Sequence, residues 1–206
     1  MAHSLLNSLC ICGLALAIGF AVGAQNDEPE ELVLTSGPIT FNRQTNLFEA
    51  QAARITQGNL SIEADDVLAT SIEFNEQSEW RFIGHVRITV DSAVIEADSA
   101  VFTFDQERLS RGELEGEPAS FSDVDTRQRS ISGSARKISY DYVARTLRMT
   151  ENARVLRGQS EMLGCDVIYD FTAERITSGS ADCVDGFRVR RLPDPDEQTP
   201  PPDPPQ

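Results

Sequence analysis

A bulky apolar residue followed two places later by Ala or Gly recurs four times in this chain. The segments are Ile62-Glu63-Ala64-Asp65, Ile95-Glu96-Ala97-Asp98, Ile131-Ser132-Gly133-Ser134 and Met162-Leu163-Gly164-Cys165. The small residues fall at 64, 97, 133 and 164, in steps of 33, 36 and 31. A second phrase alternates with the first: Phe82-Ile83-Gly84-His85-Val86, Leu114-Glu115-Gly116-Glu117-Pro118 and Met149-Thr150-Glu151-Asn152-Ala153. Repeats of this length mean stacked units, each too small to bury its own apolar face. Residues two apart on a strand share a face. Ile62, Ile95, Ile131 and Met162 are therefore expected to line one interior, with Phe82, Val86, Leu147 and Val155 from the intervening strands. A tiny residue on the inward face lets a strand bend. Placed at one level of every unit, it predicts a corner in a rolled sheet.

The alternation supports strands throughout. Period-two patterns run through Leu60–Ala64, Trp80–Val90 and Leu147–Thr150, as half-buried strands require. Turn signals separate them at Gln57-Gly58-Asn59, Asn75-Glu76-Gln77-Ser78, Asp105-Gln106-Glu107 and Arg157-Gly158-Gln159-Ser160. The expected organisation is a signal peptide at 1–24, a flexible acidic segment at 25–31, one all-β domain over 32–192 and a Pro/Asp-rich tail at 193–206. Leu5 to Val22 is apolar or small, and Val22-Gly23-Ala24 precedes the expected cut. The run is also long enough to span a bilayer, so a retained anchor is the alternative. Removal of the leader takes Cys10 and Cys12 with it. Cys165 and Cys183 then either pair with each other in an oxidising compartment or stay as two free buried thiols.

The 206 residues carry a formal charge of −15. That excess disfavours nucleic acid as a partner, because phosphate binding needs a basic surface. No phosphate-binding glycine loop, zinc spacing or nucleophile elbow is present, and no cofactor is expected. The acidic clusters Glu63/Asp65/Asp66 and Asp182/Asp185 lack a calcium-loop pattern. His85 reads as a surface or rim side chain. Arg188, Arg190 and Arg191 form a basic strand end, read first as a solvated face and second as a partner for a phosphate or an acidic edge.

Five phrases in register, from Phe82 to Phe171, resemble the OstA-like, LptD N-terminal-like family of lipopolysaccharide transport proteins. They are Gly84-His85-Val86; Ile95-Glu96-Ala97-Asp98; Gly116-Glu117-Pro118-Ala119-Ser120-Phe121; Gly133-Ser134-Ala135 followed by Tyr140; and Asn152-Ala153 followed by Gly164-Cys165-Asp166-Val167-Ile168-Tyr169. The resemblance implies an open, rolled, V-shaped β-jellyroll in the periplasm, a solenoid-like stack of antiparallel strands. It implies a non-enzymatic bridge that carries lipopolysaccharide by its lipid A chains. It also implies end-to-end contacts with an LptC-like inner-membrane protein, an LptD-like outer-membrane protein and other copies in a head-to-tail homo-oligomer. The chain departs from the family pattern in an additional repeat-like unit over 32–58 and in Cys165, which with Cys183 would staple the last rungs.

On this reading Leu60, Ile62, Phe82, Val86, Ile95, Phe121, Ile131, Tyr140 and Met149 are the side chains expected to face acyl chains. Tyr140 would set its ring against a chain and its hydroxyl toward the polar rim. The alternatives are a secreted structural β-solenoid, used as a scaffold or adhesion module without lipid transport, and a polysaccharide-acting enzyme on a β-helical frame. The enzyme reading lacks an inward-facing carboxylate cluster.

Overall fold

A computed structural model of the chain describes residues 30–178, 183 and 186–192. The expected signal peptide, most of the acidic segment, the Asp182/Asp185 pair and the Pro/Asp-rich tail lie outside the described residues.

All regular structure among the described residues is β. The strands are β1 (Val33–Thr35), β2 (Ile39–Asn42), β3 (Leu47–Gln57), β4 (Leu60–Ala69), β5 (Trp80–Val90), β6 (Ala93–Asp105), β7 (Arg108–Val124), β8 (Ser130–Asp141), β9 (Thr146–Arg157), β10 (Ser160–Asp170), β11 (Arg175–Ser178) and β12 (Arg188–Arg191). They form one open antiparallel sheet in which β3 to β10 pair in chain order. The short strands cover the two ends. β1 and β2 lie on different halves of β3, and β11 and β12 on different halves of β10. The extra unit expected over 32–58 is therefore β1, β2 and β3, with β2 and β3 paired from Ile39↔Ala50 to Asn42↔Leu47.

The sheet folds over because nearly every long strand slips register near its middle. Slips fall at Glu63/Asp66, Ile83/Val86, Glu96/Ser99, Glu115/Ala119, Ser134/Lys137 and Gly164/Asp166. An extra residue at such a bulge bends the strand and resets which side chains point inward. On β6 the inward set is Ala93, Ile95 and then, one place out of phase, Ala100, Phe102 and Phe104. Left-handed backbone at Ala52, Gly84, His85, Glu151 and Asn152 marks the same level. The bends divide the sheet into two facing arms joined along a corner. Small residues pair there: Ala53 with Ala64, Ala119 with Ala135, Ala153 with Gly164, and Ala97 with Val86.

Ala64, Ala97 and Gly164 thus stand at the corner, as their repeat predicts. Gly133 does not. It pairs with Phe121 and Val155, one inward position away, and Ala135 takes the corner. A Cβ on Gly133 would sit 2.4 Å from the Phe121 ring and 2.9 Å from the Arg154 carbonyl oxygen. The glycine is there to admit a ring. For the same reason Ile131 is not level with Ile62 and Ile95. It pairs with Asp123 and Arg157, nearer the free end of its arm.

Candidate functional site

Reading the register across the sheet gives continuous inward rows. In the first arm one row runs Leu34, Ile55, Ile62, Ile88, Ile95, Phe121, Gly133, Val155, Met162, Val189. In the second arm one row runs Ile39, Ala50, Val67, Phe82, Ala100, Leu114, Ile138, Met149, Val167, Ser178. Its neighbour runs Phe41, Phe48, Ala69, Trp80, Phe102, Gly112, Tyr140, Leu147, Tyr169, Ile176. The arms face each other: Phe121 of the first stacks on Tyr169 of the second, with ring centroids 5.6 Å apart.

All nine side chains singled out from the sequence lie in this shared interior and are buried. Leu60, Ile62, Ile95, Phe121 and Ile131 belong to the first arm, Phe82, Tyr140 and Met149 to the second, and Val86 to the corner. The interior is packed. Phe82 and Phe102 meet edge to face, and Phe74, Trp80 and Phe104 form a cluster at the N-terminal end. Tyr140, Tyr142, Tyr169 and Phe171 form a second cluster toward the C-terminal end. Burial pushes the hydroxyls of Tyr140 and Tyr169 above the usual tyrosine range. The Trp80, Phe102 and Phe104 rings were not singled out, although each sits at the inward phase of an alternating run.

Opposite the corner the two arms meet along a lip, and polar groups close it. The Gln57 amide donates to the Glu107 carbonyl (2.9 Å), and its oxygen accepts from the Leu109 amide (3.3 Å). Arg145 on the β8–β9 turn pairs with Asp91 on the β5–β6 turn at 2.8 Å. The Tyr169 hydroxyl donates to Asp123 (3.2 Å), and the Thr126 amide donates to Glu174 (2.8 Å). Asp125 accepts the amides of Arg127 and Arg129 and the guanidinium groups of Arg129 and Arg157. These bonds hold its carboxyl well below the usual carboxylate range. Asp125 finds Arg127 and Arg129 within its own turn and Arg157 on its own arm, whereas the Gln57, Asp91, Tyr169 and Glu174 partners are brought together only by the fold-over and are not legible in the sequence.

The outer face is ordinary charged sheet. Arg54 pairs with Glu63, Arg87 with Glu96 and Lys137 with Glu115. His85 is exposed and 2.6 Å from Asp65, which raises its pKa by hydrogen bonding and by charge. At the C-terminal end Glu161 is fully buried between Arg154 and Arg190, and Arg190 comes from β12. Cys165 on β10 is bonded to Cys183, with Cα atoms 5.7 Å apart. No group of His, Cys, Asp and Glu able to hold a metal occurs among the described residues.

The model of the family described as LptA/(LptD N-terminal domain) LPS transport protein matches residues 66–175. A curated relative, the lipopolysaccharide export system protein LptA of Haemophilus influenzae, is 29% identical over 104 residues. That match takes in 49% of this chain and 60% of the relative, so the chain spans about three fifths of the length of the relative it matches. The fold is similar to that of LptH, the LptA-homologous periplasmic component of the lipopolysaccharide transport device of Pseudomonas aeruginosa. The TM-score is 0.52 at 10% identity, over 80% of this chain and 96% of that one.

Proposed function

Because the chain belongs to the LptA/(LptD N-terminal domain) lipopolysaccharide transport family, we propose that it is a periplasmic bridge protein that shelters lipid A chains between its two arms and passes lipopolysaccharide toward the outer membrane. The observation that carries this reading is the run of inward apolar rows from one end of the sheet to the other. The rows begin on the partly or fully exposed apolar residues Leu34, Ile39 and Phe41, and two of the three end on Val189 and Ile176, the third on Ser178. Transfer of each CH₂ from water is worth roughly 0.8 kcal/mol, so a long acyl chain gains on the order of 8–10 kcal/mol gross. That gain must offset the ring and aliphatic contacts broken when the arms part.

On this reading Leu60, Ile62, Phe82, Val86, Ile95, Phe121, Ile131, Tyr140 and Met149 are the acyl-chain contacts. The short strands at each end offer unpaired backbone groups to a neighbouring jellyroll by β-augmentation. LptC-like and LptD-like proteins and further copies of the chain are the partners that fit such ends.

The test is native purification from the source cell followed by mass spectrometry of the bound fraction. Lipid A in stoichiometric amount is expected. A lipid-free protein that also fails to take up added lipid A would leave the second reading, a structural β-scaffold.

A further inference from the structure

The two ends of the sheet are finished in the same way. At each, one long strand carries two short ones, so both arms stop at the same level: β1 and β2 on β3, β11 and β12 on β10. A flush end can meet a second flush end along both arms at once. Without β12 the first arm would stop at β10 while the second ran on to β11, a step of about 4.8 Å between the arms.

The chain tethers β12 loosely. β11 follows β10 through a turn of four residues, whereas nine residues separate Ser178 from Arg188. β12 buries no side chain of its own, and Val189, which continues the inward row, is 61% exposed. The cross-link shortens the tether. Cys165 falls in the register slip of β10, between Gly164 and Asp166, and pairs with no residue of β9, β11 or β12. It is bonded to Cys183, five places before Arg188. The Gly186 amide donates to the Cys183 carbonyl (3.1 Å), and Phe187 lies over Gly164. A shorter tether raises the local concentration of the strand at its edge.

Once laid down, β12 presents usable backbone. The Leu192 amide donates to the Gln159 carbonyl (2.8 Å). By antiparallel alternation the Arg190 amide then faces β10, and the Val189 and Arg191 amides face the open side. The opposite end of the same chain is the occupant that fits. Leu34 and Val189 stand in one inward row, and Phe41 and Ile176 in another, so a second copy continues both. Glu30 and Glu31, ahead of its β1, would come to Arg190 and Arg191 of β12.

We propose that the Cys165–Cys183 bond is a redox switch for docking at this end. The oxidised chain holds β12 in place and accepts the β1 and β2 edge of a second copy; the reduced chain does not. The proposal rests on the end-contact reading above and adds the condition under which that contact forms. Closing the bond takes two thiols to a disulfide, with two electrons and two protons passing to a disulfide oxidant. One cysteine thiolate attacks the oxidant's disulfide and expels one of its sulfurs. The other then attacks the mixed disulfide and releases the oxidant as a dithiol. The chain becomes competent to dock only in an oxidising compartment.

The experiment compares self-association of oxidised, reduced and reoxidised protein by sedimentation velocity. Amide exchange in β4 to β9 checks that the sheet stays folded. The oxidised chain is expected to associate at least tenfold more tightly than the reduced one, with recovery on reoxidation by oxidised glutathione. Equal association of the two forms would overturn the switch and leave end contacts intact. An oxidised chain that stays monomeric at every concentration would overturn contact between copies, and the switch with it. If reduction unfolds the sheet, Arg190→Pro with the bond intact asks the same question, because proline cannot donate to the β10–β12 ladder. Association at least tenfold weaker would support the role of β12, and unchanged association would overturn it.

Discussion

Gly133 shows how narrowly one residue is specified. It fills the place in the first-arm row where every other strand puts a side chain, and the Phe121 ring occupies the space its Cβ would need. Gly133→Ala must displace both a ring and a backbone oxygen, so it is expected to cost about 1–3 kcal/mol in chemical denaturation. Adding Phe121→Leu should recover part of that loss, because the ring contact is removed and the carbonyl contact is not. Ile62, wholly buried two rows from the lip, is expected to lose about 2–5 kcal/mol on truncation to Ala. His85 gives a pH signature. Its pKa is raised by Asp65, so its stabilising contribution is complete below the ordinary imidazole pKa and is lost as pH rises through the folded value. An NMR titration should place the His85 midpoint above that of a free imidazole, and Asp65→Asn should return it.

The sequence made the interior legible at this scale and the lip illegible. Leu60 and Ile62 follow from alternation, Ile95 from the repeat and Phe121 from the motif that carries the family resemblance, and the Ala64 and Ala97 repeats mark the bend. Asp91 and Arg145 stand 54 residues apart, and no local pattern joins them. The bulges also hide strand length. On β6 the inward phase changes between Ile95 and Ala100, so one long strand reads as two short ones.

At the scale of the element, β12 is the outlier. All four of its side chains are exposed, and it is held by four backbone pairings, by Arg190 over the buried Glu161, and by the Cys165–Cys183 link. A cross-link closing a loop of 18 residues restrains the open chain by about 3 kcal/mol in the loop-entropy view. Cys183→Ser is therefore expected to speed amide exchange in β12 by up to two orders of magnitude, while β4 to β9 keep their protection. Uniform loss of protection across the sheet would show instead that β12 is integral to the fold. Arg190→Ala should loosen the same strand, because among the described residues Glu161 then keeps Arg154 alone as a cation. The sequence reads Arg188, Arg190 and Arg191 as a basic strand end with a solvated face first, and no local pattern ties Arg190 to Glu161, 29 residues away.

At the scale of the whole molecule, the two arms are one sheet closed on itself by side chains rather than by strand pairing. Such a closure can open without breaking a ladder of backbone bonds. Spin labels at Arg127 and Val143, on exposed turns of opposite arms, are expected to move apart when lipid A is added and to return when it is removed. Unchanged distances in a lipid-loaded sample would mean that the chains sit elsewhere.

The count of strands has a geometric consequence. Among the described residues, ten antiparallel strands lie between one end of either arm and the other, β1 to β12 in the first and β2 to β11 in the second. With an even number, the outermost strands of a unit point in opposite directions. A duplicate displaced along the stacking axis, without rotation, would therefore present each junction with opposed chain polarity, the same polarity found at every seam inside the unit. Lengthening the stack would need no new kind of joint.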